Sequence, residues 1–192
     1  MMTFTLDFSS ILNIDDEQFE KICHNNPDIQ FERTAQGELI IMPPVGAESG
    51  NREMDLMGAL WLWNSKTKLG KVFSSSTCFK LPNGALKSPD AAWIELSRWN
   101  KLSAEAKKKF APICPDFVVE LRSESDSIKT LQAKMQEYID NGTKLGWLID
   151  PQAKEVTIYK LDQTPEILTQ PSSLDGGNLL PDFTCNLDFL WD

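Results

Sequence analysis

The sequence is poor in the residues from which the common catalytic centres are built. Its one histidine, His24, cannot furnish a His-based zinc site, and a Ser-His-Asp arrangement is improbable on the same count. The four cysteines, Cys23, Cys78, Cys114 and Cys185, are scattered with no CxxC pair, which points to free thiols in a reducing, cytoplasmic setting. No apolar run approaches the roughly 20 residues that cross a bilayer, so no membrane partner is expected. The opening "MMTFTLDFSS" lacks the basic start and apolar stretch of a signal peptide. Internal repeats and low-complexity tracts are absent too.

What remains suits one α/β domain over residues 1–192, since 41% hydrophobic and 24% charged content is enough for an ordinary core under a soluble surface. A net charge of −9 argues against polyanion binding by the whole surface. The charge is uneven, however. Residues 66–144 hold 14 basic and 9 acidic residues, against 5 and 19 elsewhere, so the middle of the chain has the makings of a basic face on an acidic body.

Periodicity and turn chemistry give the elements. "IDDEQFEKICHNN", 14–26, reads as a short helix capped by Asp15 or Asp16. Residues 29–44 read as two strands around Gly37, stopped by Pro43-Pro44. Leu56, Ala59, Leu60 and Trp63 give a helix over about 48–68 its buried stripe. Strands follow to residue 94, with a turn at Pro82-Asn83-Gly84 and a single strand expected over 86–94. "SRWNKLSAEAKKKF" reads as a polar helical connection. A strand at 116–122, a helix at 127–141 ended by Gly142, and a strand at 145–150 form a crossover that sets its two strands parallel. Two more strands complete a mixed central sheet, with the core at about 29–170. The first helix and the tail, 171–192, pack on it. The apolar tail "LLPDFTCNLDFLWD" either closes that core or joins two copies in a homodimer.

The chemistry begins with an anomaly. In "PDFVVELRS" Phe117, Val118, Val119 and Leu121 read as a covered strand, yet Glu120 and Arg122 sit within it, two apart and so on one face. Asp90 in "KSPDAAWI" opens another apolar strand, a place where Pro-Asp also serves as simple turn chemistry. Lys134 flanks the buried stripe Leu131, Met135 and Tyr138, where a lysine can also lie along a packed face with its head in water.

Taken together, "PD", an interval of about 30 residues and "ExR" on a strand followed by a helix resemble the active-site strands of the PD-(D/E)xK nuclease superfamily. The segments "KSPDA", "CPDFVVELRSESD", "LQAKMQEYIDNG" and "KLGWLIDP", with "GAESGNR" upstream, are similar to a large bacterial family of restriction-endonuclease-like proteins, over about residues 30–160. The resemblance implies a restriction-endonuclease-like mixed sheet flanked by helices and a nuclease acting on nucleic acid, DNA before RNA. It implies a centre of Asp90, Glu120 and Lys134 with Mg²⁺ or Mn²⁺, held by Asp90, Glu120, the Leu121 carbonyl and a carboxylate of the first core helix, for which Glu48 is the candidate. Lysine usually holds the third motif position. Arg122 stands there instead and stays protonated, so it is cast as an electrostatic partner of the acids or the phosphate, and Lys134 as the migrated lysine. Asn51, Arg52, Gln132 and Gln136 are candidates for contacting substrate. The alternative is an inactive nuclease-fold module for binding or dimerisation, in which Glu120 and Arg122 form a structural ion pair.

Overall fold

The structure, a computed structural model, describes residues 4–8 and 11–191. Its elements in chain order are β1 (Phe4–Leu6), α1 (Asp16–Asn25), β2 (Gln30–Arg33), β3 (Leu39–Met42), α2 (Ala47–Thr67), β4 (Gly70–Ser74), β5 (Phe79–Lys80), β6 (Leu86–Lys87), β7 (Ala91–Glu95) and α3 (Leu96–Trp99). After a 3₁₀ turn at Ala106–Lys108 come β8 (Phe117–Leu121), α4 (Ile128–Asp140), β9 (Leu145–Asp150), β10 (Glu155–Lys160), β11 (Glu166–Thr169), β12 (Ser173–Asp175) and β13 (Thr184–Asn186).

Local chemistry sets the boundaries. Asp15 caps α1 through a reciprocal box: its Oδ1 accepts the Gln18 N–H at 2.8 Å, and the Gln18 side chain accepts the Asp15 N–H at 2.9 Å. Lys68 ends α2 in the left-handed region at φ 55°, and Gly142 follows α4 at φ 104°, a conformation that glycine adopts without a Cβ penalty.

Six strands form the central sheet in the order β11-β10-β9-β8-β7-β4. β8 and β9 are parallel, joined by α4, and the other neighbours are antiparallel. Alternation splits β8 between two cores. Phe117, Val119 and Leu121 meet Leu56, Leu60 and Trp63 of α2. Val118 packs with Ala92, Leu148 and the α4 residues Met135 and Tyr138. A second sheet, β1-β3-β2-β6-β5, carries α1 over Ile14, Phe19, Phe31 and Leu86. The mixed central sheet flanked by helices is therefore as the sequence led us to expect.

Three local expectations need correction. The single strand expected over 86–94 is two strands in different sheets: Leu86 pairs with Arg33 of β2, whereas Ala91 pairs with Val119 of β8. Pro89 lies at the break and has no N–H to continue a ladder. The connection at 97–110 is helical only at α3 and one 3₁₀ turn. The tail does not offer an apolar surface to a second copy. Leu180, Phe183, Leu187, Leu190 and Trp191 are all buried in the α2-side core, and β12 and β13 pair with each other. The reasoning that led from the tail to a homodimer therefore has no basis in this structure.

Phe183 is the anchor of that tail, stacked on Trp147 at 5.8 Å and tilted against Trp63 at 5.6 Å. Phe183→Ala should cost about 3–5 kcal/mol. Urea unfolding measures this, and an unchanged midpoint would mean that the tail is not part of the folded core.

Candidate active site

The antiparallel register of β7 and β8 pairs Ala91 with Val119 and Ala92 with Val118. One step further sets Asp90 opposite Glu120, on the face turned to α4. Asp90 is half-buried at the strand entrance, and its Oδ2 accepts the Leu121 N–H at 2.6 Å. Glu120 is 2% exposed. From α4, Lys134 reaches down between the strands. Its ammonium donates to Glu120 Oε2 at 3.1 Å and to the Ser88 carbonyl at 3.0 Å. It also lies 2.9 Å from Glu120 Oε1, but that buried oxygen has no hydrogen bond of good geometry. The three residues that the sequence singled out thus converge.

A fourth member was missed. Glu32, on β2 of the second sheet and 2% exposed, places Oε1 2.9 Å from the Lys134 ammonium and accepts the Ser88 N–H at 2.9 Å. Its Oε2 lies 3.5 Å from Lys87, whose ammonium is also 3.3 Å from Glu137. "QFER" puts two charged residues on a short strand, but Glu32 and Arg33 are adjacent and face opposite sides, and nothing local ties Glu32 to a lysine of α4.

These environments separate the charges. Burial pushes the Glu120 carboxyl up to about 8, with Lys134 opposing and Asp90 and Glu32 adding to the rise. Burial likewise raises Asp90 to about 6 against the pull of Lys134 and the Leu121 N–H. Glu32 is held below its ordinary value, because Lys134 and Lys87 outweigh its burial. Burial works against the Lys134 charge, but Glu120, Glu32 and Asp90 outweigh it and hold the ammonium protonated.

The other candidates fall at different depths. Glu48 is exposed at the rim and paired with Arg52 at 2.6 Å. The α2 carboxylate that senses the centre is Glu53, raised to about 7 by burial and then by the charges of Asp90 and Asp126. Glu53 precedes Leu56 by three and Leu60 by seven, a spacing that puts it toward the buried stripe and marks it in the sequence. Arg122 does not pair with Glu120 or Asp90. Its guanidinium binds Asp150 at 2.8 Å and the Asp126 carbonyl at 3.2 Å, bracing the loop between β8 and α4. Arg52 and Gln136 line the cleft, Gln136 with a 2.8 Å bond to Asp140. Asn51 and Gln132 are exposed and do not line it.

The cleft over this centre encloses about 1890 Å³, beyond the roughly 300–1,000 Å³ typical of a small-molecule pocket. It has room for an extended chain. Residues 16–188 match the model of the Uma2 family, described as "putative restriction endonuclease". The chain belongs to this family. The Uma2 assignment agrees with a solved structure, that of "a putative nuclease belonging to DUF820" from Anabaena variabilis. That structure superposes with a TM-score of 0.71 over 84% of this chain and 89% of that one at 18% identity, a likeness that establishes the fold. None of the curated proteins matches the chain.

Among the described residues no three His, Cys, Asp or Glu side chains gather into a metal cage. Asp90 and Glu120 nonetheless fit a hard cation of the Mg²⁺ type, which is commonly held by one or two carboxylates, waters and substrate phosphate. Glu120 Oε1, buried 2.9 Å from the Lys134 ammonium but without a hydrogen bond, has acceptor capacity left over. Softer metals find no donors here.

The raised carboxyls have a consequence for stability. Between the ordinary carboxyl range near pH 4 and about pH 8, the folded chain binds more protons than the unfolded one at Glu120, Asp90 and Glu53, so stability falls as pH rises through that window. Glu32, held down, acts in the opposite sense, and only at the acid end. Urea midpoints followed against pH in chelator should show this decline, and Glu120→Gln should flatten its upper part.

Proposed function

We propose that this Uma2-family protein is a nuclease that hydrolyses phosphodiester bonds in nucleic acid, DNA foremost, with Mg²⁺ or Mn²⁺ at the Asp90–Glu120 pair. The observation that carries the reading is the cross-strand meeting of two carboxylates with a lysine from the following helix. Asp90 and Glu120 would hold the cation, with the Leu121 carbonyl beside them and Glu53 facing them from α2. Once bound, the cation would supply Lewis acidity and a more acidic water. Lys134 stays charged, so its part is to orient Glu120 and to meet negative charge building on the phosphoryl group, and it does not take up a proton. Arg122 acts at one remove, fixing the loop at 122–127 through Asp150. Arg52 and Gln136 remain as substrate contacts, and Glu48 sets the state of Arg52 at the rim.

One observation favours the second reading, an inactive binding module. Each basic residue lining the cleft, namely Arg52, Lys87, Arg122, Lys134 and Lys154, already has an acceptor within the protein. Phosphate therefore meets no spare cation on those walls unless a metal is bound.

Titration calorimetry with Mg²⁺ and with Mn²⁺ separates the two readings. The nuclease reading expects binding heat with the parent and none with Glu120→Gln. It also expects metal-dependent cleavage that Asp90→Ala and Glu120→Ala abolish and that Lys134→Ala lowers by at least about 100-fold. A parent that binds neither ion, or variants that cleave like the parent, would leave the binding module.

A further inference from the structure

We propose that the outer face of the C-terminal half of α2 binds single-stranded nucleic acid, with the lysines near the turn after α3, around the edge strand β4 on the other face of the sheet, as an extension of the basic region. The proposal rests on the nuclease reading for the class of polymer and adds a second contact surface, outside the cleft. Trp61 is 60% exposed and Leu62 51% exposed on this face. Lys68 lies seven residues after Trp61, and Lys66 lies four after Leu62, so two ridges of the helix each run from an apolar side chain to a lysine. Both lysines are exposed, as is Lys71 on β4, the last strand of its sheet.

The lysine row extends beyond the helix. The Leu96 N–H donates to the Leu69 carbonyl at 2.9 Å and ties α3 to this corner. Trp99 of α3 packs on Phe73 at 5.1 Å, two residues from Lys71 on the same side of β4, and the Lys107 ammonium lies 5.5 Å from the Trp99 ring. Lys101 and Lys108 flank that site and are exposed. Among the described residues none of Lys66, Lys68, Lys71, Lys101, Lys107 and Lys108 enters an ion pair. Of the acids at this end, Glu95 and Asp116 are already matched by Lys144 and Arg98, and Glu105 is an exposed acid between Lys101 and Lys107. The basic excess of residues 66–144 is therefore gathered largely at the end of the sheet away from the cleft.

The occupant follows from chemistry. A row of uncompensated lysines on a chain of net charge −9 offers a polyanion one place to land and repulsion elsewhere. A second copy docked face to face here would bring the same lysines against them. An exposed tryptophan beside the lysines suits a base with a free face, which single strands present and duplexes hide. With its N-terminus at the cleft, α2 connects the two places. Its 21 residues span roughly 30 Å at about 1.5 Å per residue, so a strand held on the outer face is recruited within reach of the centre without filling it.

The test is fluorescence anisotropy of a labelled oligothymidylate with the full chain in chelator, where metal-dependent cleavage is silent. The parent should bind, and affinity should fall steeply with salt. Lys66→Glu with Lys68→Glu should weaken binding by at least about 10-fold and make the salt slope shallower by about 1.4, for two lost contacts to a single strand. Trp61→Ala should weaken it by about 10-fold with the salt slope unchanged. Glu120→Gln should bind like the parent, so a failed nuclease reading leaves this result intact, and the reverse holds too. The proposal is overturned if the parent does not bind, if the α2 variants bind as the parent does, if a duplex competes as well as a single strand, or if Trp61→Ala changes the mass in solution and so marks an interface between copies.

Discussion

A lysine ammonium held between two buried glutamates is the constraint around which this molecule is arranged. Lys134 lies 2.9 Å from both Glu32 and Glu120, and both acids are 2% exposed. Charges so deep are tolerable only when each has partners, because desolvation costs several kcal/mol per ion. The three partners come from three separate places: β2 of the second sheet, β8 of the central sheet, and α4 above them. Satisfying one ammonium therefore fixes the position of two sheets and a helix at once. It also fixes Ser88, whose carbonyl accepts from Lys134 while its N–H donates to Glu32.

The same constraint accounts for the break at Pro89. A single strand through 86–94 would carry Asp90 along the central sheet and leave Glu32 without a route to the centre. Dividing that stretch between sheets lets Leu86 hold β2 in place while Ala91 starts the register that sets Asp90 opposite Glu120. At the other end of β8, Asp116 is buried with Arg98 and Lys144, each at 2.9 Å. The strand is thus pinned by charge at both ends. Asp116 meets two cations, of which Lys144 also serves Glu95, whereas Glu120 has Lys134 alone and shares it with Glu32. The second arrangement is the one that leaves carboxylate capacity over.

Much of this was legible in the sequence where chemistry and periodicity act over short range. The α1 cap, the α2 stripe, the crossover through α4 and the trio Asp90, Glu120 and Lys134 all follow from spacing, turn residues and resemblance. Glu32 was not legible as a site residue, because its role depends on a contact between β2 and α4 that no local pattern encodes. Glu48 was preferred over Glu53 because a first-turn acid is conspicuous, although helical phase favours Glu53. Arg122 was misjudged for a related reason. Its acid partner is Asp150 of the neighbouring strand β9, beside which the parallel register of β8 carries it, a cross-strand contact that spacing within one segment does not reveal.

Charge also divides the labour across the molecule. The cleft has more acids than bases along its walls, and each of those bases has an internal partner. Among the described residues, Lys66 and Lys68 at the far end of α2 and Lys71, Lys101, Lys107 and Lys108 beyond it enter no ion pair. Lys134 already meets Glu32 and Glu120, and a further ammonium at the centre would leave still less carboxylate for a cation. On the reading proposed above, unpaired lysines kept away from the cleft leave its carboxylates to a cation, and α2, 21 residues long, runs between the two places.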